Sequence, residues 1–258
     1  MVSRTASAPG APLVQIDDLN HRFADGRTGL TSIHLHIDAG ETIVIAGANG
    51  SGKTTLLRHL NGLLQPTAGC VRLNGFRVSR HPARARRLVG MVFQDADSQI
   101  VGETVWEDAA FGPRNLKLPP AQIDQRVGAV LADLGLAALA DRPPHLLSGG
   151  EKRRLALAGV LVMDPAVVAF DEPFAGLDYP GVNRLLQEFL RLKQNGRTLV
   201  ITTHELERIV TLADRLVLME NGRIVRSGPP AKVLPDVEAF GVRLPHPFRM
   251  QSDKDPLS

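Results

Sequence analysis

Apolar residues fall along the chain in three patterns, and each predicts a different kind of element. Thr42–Ala46, Val89–Phe93, Val167–Phe170 and Leu199–Thr203 are short, nearly continuous apolar runs, which fit buried strands. Ile33, Leu35 and Ile37 alternate with polar residues, the mark of a half-buried antiparallel strand. Leu13–Ile16 and Cys70–Leu73 read as further strands, and Glu220-Asn221-Gly222 between Leu216–Met219 and Arg223–Arg226 is a hairpin signal. Helical patterning predicts helices over Thr54–Leu64 (Leu56, Leu57, Leu60), Ala121–Leu134 (Val127, Val130, Leu131, Leu134), Glu151–Met163 and Glu205–Ala213. A shorter helix falls around Val105–Phe111, and one over Val182–Lys193 is stopped by Asn195-Gly196.

In chain order these elements give an α/β unit interrupted by a helical middle third. Residues 13–94 and 165–235 form the α/β part, and 95–164 form the helical insert. Residues 1–12 are rich in Ala, Ser and Pro, and read as a disordered tail. Residues 236–258 read as a Pro-rich, polar tail without a motif.

Composition narrows the picture slightly. At 43% apolar residues the chain can bury a sizeable core, and the net charge of +3 is too small and dispersed to argue for nucleic acid. The densest basic stretch, Arg77 to Arg87, holds five arginines and His81 and reads as a solvated helix face. Cys70 is the only cysteine, so an internal disulfide is excluded, and in its strand it reads as a small core residue. No run approaches the ~18 apolar residues of a membrane span, and the N-terminus lacks the apolar run of a signal peptide. The expectation is a soluble, cytoplasmic protein that meets any membrane through a partner.

The chemistry concentrates at a few places. Gly47-Ala48-Asn49-Gly50-Ser51-Gly52-Lys53-Thr54 fills every required position of the phosphate-loop pattern, between a buried strand and a helix. Backbone N–H groups at such a turn converge on one point, and the helix N-terminus adds partial positive charge for a polyphosphate. Lys53 would reach the β- and γ-phosphates, and the Thr54 hydroxyl would ligate Mg²⁺. Asp171 and Glu172 end an apolar strand as adjacent carboxylates; Asp171 suits Mg²⁺, and Glu172 suits a general base for the attacking water. Leu147-Ser148-Gly149-Gly150-Glu151 places Ser148 as the N-cap of the next helix and offers a second anion site. A charged turn, a plain capped helix and a histidine capping its own helix are the structural alternatives for Asp171-Glu172, Ser148–Gly150 and His204.

Taken together and in order, these motifs resemble the nucleotide-binding subunit of an ATP-binding-cassette (ABC) transporter over about residues 13 to 235. The resemblance implies a P-loop NTPase, a RecA-like α/β core with an antiparallel β part and an inserted helical subdomain. It implies ATP and Mg²⁺ as cofactors. Gly47, Asn49, Gly50, Ser51, Gly52, Lys53, Thr54 and Thr55 would hold the phosphates, and Phe23 would stack on adenine where the family more often has Tyr. Gln94 matches the Q-loop, a metal and catalytic position, beside Thr54 and Asp171. Glu172 matches the catalytic base, Gly176-Leu177-Asp178 the D-loop, and His204 the switch histidine that contacts the γ-phosphate. Ser148, Gly149 and Gly150 match the signature, which in the family closes on the ATP held by a second subunit.

Glu151 departs from the Gln usual in the signature. That form, Lys152-Arg153-Arg154 after it, His59–Leu64, Phe93–Gln99 and Glu107–Leu116 are similar to the energy-coupling-factor (ECF) group, which includes the ATPases of cobalt/nickel and biotin importers. The implied partners are a second ATPase subunit in a homodimer, a transmembrane coupling subunit and a membrane substrate-capture subunit, with no nucleic acid. The helical region, with the stretch from Gln99 to Glu107, would form the groove for the membrane subunit. The implied place is the cytoplasmic side of the cell membrane, reached through these partners. A rival is an ABC clamp on nucleic acid, but those chains insert long coiled coils where this one has only about 55 residues between Gln94 and the signature. A P-loop kinase would leave the signature and His204 unexplained.

Overall fold

The computed structural model describes residues 11–246. In chain order these form β1 (Val14–Arg22), β2 (Thr28–Ile37), β3 (Thr42–Ala46), α1 (Lys53–Leu60), β4 (Ala68–Leu73), β5 (Phe76–Arg77), α2 (Pro82–Leu88) and β6 (Val89–Val92). The middle third contributes α3 (Val105–Asn115), α4 (Pro120–Asp133) and α5 (Gly149–Leu161). Then follow β7 (Val167–Asp171), α6 (Tyr179–Gln194), β8 (Thr198–Thr203), β9 (Arg215–Glu220), β10 (Arg223–Gly228) and α7 (Pro230–Val233).

Two sheets organise them. The first is antiparallel, in the order β2-β1-β4-β5; the second has six strands in the order β10-β9-β3-β8-β7-β6. Pairings β3–β9, β3–β8, β8–β7 and β7–β6 are parallel, and β9–β10 is an antiparallel hairpin. The continuous apolar runs have a simple cause. Ile43 and Ile45 of β3 face the core shared with α1 and the antiparallel sheet, while Val44 and Ala46 face the core shared with the helical insert. A strand covered on both faces has no position to spare for a polar side chain.

Three differences from the sequence-based expectation have physical reasons. Glu205–Ala213 is not an α-helix but two 3₁₀ turns, Leu206–Arg208 and Val210–Leu212. Ile209 sits between them at φ −126°, outside helical geometry, and the β-branched run Ile209-Val210-Thr211 loses rotamer freedom in a helix. The region after residue 235 is not simply a tail: Val237, Val242 and Leu244 are buried in the main core. Gly241, at φ 72°, turns the chain back toward Ala48 of the phosphate loop. The helix expected from Glu151 already begins at Gly149, directly after Ser148, the N-cap that the sequence predicted. The five arginines from Arg77 to Arg87 are exposed, as a solvated face requires. Residues 1–10 and 247–258 of the expected tails lie outside the described residues.

Candidate functional site

Adjacent parallel strands β7, β8 and β3 end on one edge of the sheet, with Asp171 level with Thr202 and Ala46 level with Thr203. The residues that follow, Glu172, His204 and Gly47, therefore meet without any long-range loop. Gly50 and Gly52 have φ of 81° and 102°, the left-handed region that favours glycine. Gly52 is the N-cap of α1, so this turn delivers the chain directly into the helix.

Within the loop, Lys53 is buried. Its Nζ donates to the carbonyl oxygens of Gly47 (2.8 Å) and Ala48 (3.1 Å) and lies 3.3 Å from Glu172 Oε1. Thr54 Oγ1 donates to Asp171 Oδ1 at 2.9 Å, and Thr202 Oγ1 donates to the same oxygen at 2.8 Å. Glu172 has φ 46°, a strained value for a residue with a side chain, and its N–H donates to Thr202 Oγ1 and to the Thr202 carbonyl. Glu172 Oε2 accepts from His204 Nδ1 at 2.9 Å and from the His204 backbone N–H at 3.3 Å. A carboxylate can only accept, so the Nδ1 contact fixes the proton on that nitrogen and turns Nε2 outward.

The second anion element is built differently. Ser148 Oγ accepts from the Glu151 N–H at 3.3 Å, and Glu151 Oε2 accepts from the Ser148 N–H at 2.7 Å, a reciprocal capping box. The departure from Gln is thus absorbed into the cap. The Ser148 N–H holds the Glu151 carboxyl below the usual glutamate range, with the serine hydroxyl adding to it. Ser148–Gly150 line a cavity of about 910 Å³ with Gln94 and the turn Ala175–Asp178. Ala48, Asn49 and His204 line a separate one of about 690 Å³. The phosphate loop and the signature of one chain therefore serve different cavities.

Residues 30–175 match the family model described as ABC transporter. The chain belongs to the ABC transporter family. It is an ATPase whose hydrolysis is coupled to transport. The energy-coupling factor transporter ATP-binding protein EcfA of Methanocaldococcus jannaschii is 39% identical, over 94% of this chain and 90% of that protein. The cobalt import ATP-binding protein CbiO of Rhodobacter capsulatus is 44% identical, over 87% of this chain and 81% of that protein. Among solved structures, CbiO1 of Clostridium perfringens, part of the transporter complex CbiONQ, superposes with a TM-score of 0.81 at 34% identity, covering 95% of this chain and all of that one.

In this ABC ATPase the remaining sequence-predicted positions are placed as follows. Gln94 is exposed just past β6, and its carbonyl accepts from Arg153. Asn49 and Gly50 are exposed at the loop tip; Ser51 is buried, its Oγ without a hydrogen-bond partner among the described residues. Thr55 is half-buried in the first turn of α1. Phe23 is half-buried after β1, its ring edge against His21 at 4.7 Å and the Arg27 guanidinium 5.7 Å from its centroid. The structural alternative for His204 falls away, because no α-helix follows for it to cap.

The donor set fits Mg²⁺. The Thr54 hydroxyl and the Asp171 carboxylate, 2.9 Å apart, offer oxygen, which this hard cation takes, whereas Gln94 lines the cavity of Ser148–Gly150 and is not brought to them. Among the described residues no group of three or more His, Cys, Asp or Glu could hold a metal by itself.

Sequence reasoning missed Thr202, and it placed Gln99 and Arg153 in ECF-like stretches without seeing the contacts they make. Thr202 could have been found two residues before His204, on the same side of β8. Gln99 Oε1 accepts from the Phe93 N–H (3.1 Å), and its Nε2 donates to the Met91 carbonyl (3.2 Å). The stretch expected to face a partner is thus partly turned inward. Buried Asp108 anchors it too, accepting from the N–H groups of Val101 (2.7 Å) and Gly102 (3.0 Å). Val101 and Phe111 remain outside, 63% and 53% exposed. No helix among the described residues is long and apolar enough to cross a membrane.

Proposed function

We propose that this chain is the ATP-hydrolysing subunit of an ECF-type importer for a transition-metal ion or a vitamin. In this reading it works as a homodimer docked on the cytoplasmic side of the membrane through a coupling subunit and a substrate-capture subunit. The observation that carries the reading is the separation of the two anion elements. Lys53, Asp171, Glu172 and His204 converge at one strand edge, while Ser148–Gly150 open on another cavity. A second copy can bring its signature to the first copy's phosphates, and the arrangement then repeats by two-fold symmetry. The ECF assignment draws on the relatives named EcfA and CbiO, and cobalt is the cargo that the latter's name suggests.

In the mechanism, Lys53 Nζ exchanges its carbonyl partners for the β- and γ-phosphate oxygens, a stronger charge-assisted contact. Thr54 and Asp171 would hold Mg²⁺, which would supply neutralising charge to the phosphates. A water attacks the γ-phosphorus, and the bond to the β-bridging oxygen breaks to leave ADP. Glu172 takes the proton of that water. His204, its Nδ1 held by Glu172, turns Nε2 toward the γ-phosphate.

The test is Glu172→Gln, which removes the base and should slow hydrolysis by ~10²–10⁴-fold. Light scattering of that variant with Mg·ATP should show a dimer that the variant without nucleotide lacks. A species that stays monomeric at saturating ATP would refute the homodimer. Uptake of radioactive cobalt into vesicles holding the membrane subunits would decide the cargo.

A further inference from the structure

Arg153 lies four residues past Gly149, on the first turns of α5. Its guanidinium donates to three backbone carbonyls. Nη2 donates to Gln94 O at 3.2 Å and to Ala175 O at 2.9 Å, and Nη1 donates to Pro173 O. Gln94 belongs to the loop after β6. Pro173 and Ala175 belong to the turn after β7, which begins one residue past Glu172 and runs into Gly176-Leu177-Asp178. One side chain thus joins the signature helix to two catalytic loops of its own chain.

This is an expensive way to place an arginine. The side chain is half-buried, and desolvation draws its pKa below the ordinary arginine range with no carboxylate to offset it. An arginine needed only for solubility would extend into water. Its neighbour Lys152 keeps an ion pair, with Asp97 at 2.6 Å. What Arg153 gains instead is geometry, because the guanidinium is a rigid planar fork with its donors in fixed directions. Within the turn, Phe174 is buried in the core with its ring 5.9 Å from that of Phe189, and the backbone closes on Ala175 N–H to Glu172 O at 3.2 Å and Leu177 N–H to Phe174 O at 3.2 Å. The guanidinium adds a tie from the turn to the Gln94 loop and to α5 together. Glu172 itself sits at φ 46°, a conformation that surrounding structure must hold in place.

We infer that Arg153 is a positioning residue. It fixes the turn after Glu172 and the loop carrying Gln94 in one relationship to Ser148–Gly150, so that the signature helix and the catalytic carboxylate of a chain cannot shift independently. The inference rests on the reading of Glu172 as the base.

Arg153→Met keeps the aliphatic bulk and removes all three donors. ATP affinity should stay within about two-fold of the parent while kcat falls, a loss confined to the chemical step. A misplaced catalytic group costs up to about 10²-fold, which bounds the expected fall at roughly 10- to 100-fold. Hydrogen exchange should speed up together in residues 94–97 and 174–177, while the amides of Leu155–Leu161 keep their protection. Arg153→Lys, with a single donor atom, should fall between the parent and Arg153→Met in both kcat and exchange. If Arg153→Met does not fold, Arg153→Lys carries the same test. A kcat within about two-fold of the parent, or exchange unchanged in either loop, overturns the inference. So does a fall in affinity matching that in kcat. Failure of the underlying reading looks different: Glu172→Gln would keep its turnover.

Discussion

Thr202 stands directly opposite Asp171 in the β7–β8 register, and its hydroxyl donates to Asp171 Oδ1 at 2.8 Å. The same hydroxyl accepts from the Glu172 N–H at 3.2 Å, so one threonine orients both acids. Thr202→Val keeps the shape and removes the donor. A buried carboxylate oxygen that loses a partner costs about 1–3 kcal/mol, which urea unfolding should register. The Mg²⁺ concentration for half-maximal ATPase rate should rise as well. An unchanged urea midpoint and an unchanged Mg²⁺ requirement would show that the contact does neither job.

Lys53 and Glu172 are a buried pair, with side chains only 5% and 11% exposed. Lys53→Ala should abolish tight ATP binding and also leave Glu172 buried without its cation. The second effect should cost about 3 kcal/mol of stability measured without nucleotide. Adding Glu172→Gln should restore part of it, since a neutral amide tolerates the site better than an unpaired charge. Equal urea midpoints for the single and double variants would contradict the pairing.

Glu151 makes stability depend on pH through its cap. Its carboxyl is held below the ordinary value of 4.5, so it stabilises the folded chain above that pH, and the contribution is lost as pH falls through the lower, folded value. In Glu151→Gln that dependence disappears. The parent should be slightly more stable at neutral pH, by less than about 1 kcal/mol for an exposed cap. Melting curves of the two proteins should converge on acidification. A gap that widened in acid would show the sign to be wrong.

Val101, before α3, and Phe111, on α3, are two of the large apolar side chains left outside in the helical region. Val101→Asp and Phe111→Asp should leave melting and basal ATPase rates near those of the parent, and reduce uptake in vesicles that contain the membrane subunits. Gln99→Ala should behave differently and lower stability, because its amide bonds inward. Normal uptake by both aspartate variants would remove this face from the coupling surface.

Much of the architecture was legible in the sequence because the strongest signals are local. Val167–Val168–Ala169–Phe170 has to be buried on two faces, and the hairpin at Asn221-Gly222 follows from turn chemistry. The phosphate loop, Asp171-Glu172 and His204 could be found because each sits at the end of such a strand. Thr202 sits at the end of such a strand too, but its position does not reveal its bond to Asp171, and Gln99 and Arg153 could not be found this way. Their partners lie on other elements, at sequence distances of 31, 8 and up to 59 residues, and no periodicity announces such contacts. The region Glu205–Ala213 went wrong for the opposite reason: its apolar spacing suits a helix, but its β-branched residues do not.

Gln99 also closes an edge. β6 is the outermost strand on its side of the six-stranded sheet, and beyond it the peptide groups of Met91 and Phe93 have no further strand to pair with. The Gln99 amide accepts from one and donates to the other, as a peptide unit of a neighbouring strand would. A single side chain thus satisfies the last two groups of that edge. Without it, two bare backbone groups would be ready to recruit an extended segment of another molecule. The same glutamine that shapes the loop after β6 therefore also blunts part of the sheet's edge. Its loss would surface first as clumping on warming, ahead of any change in ATP turnover.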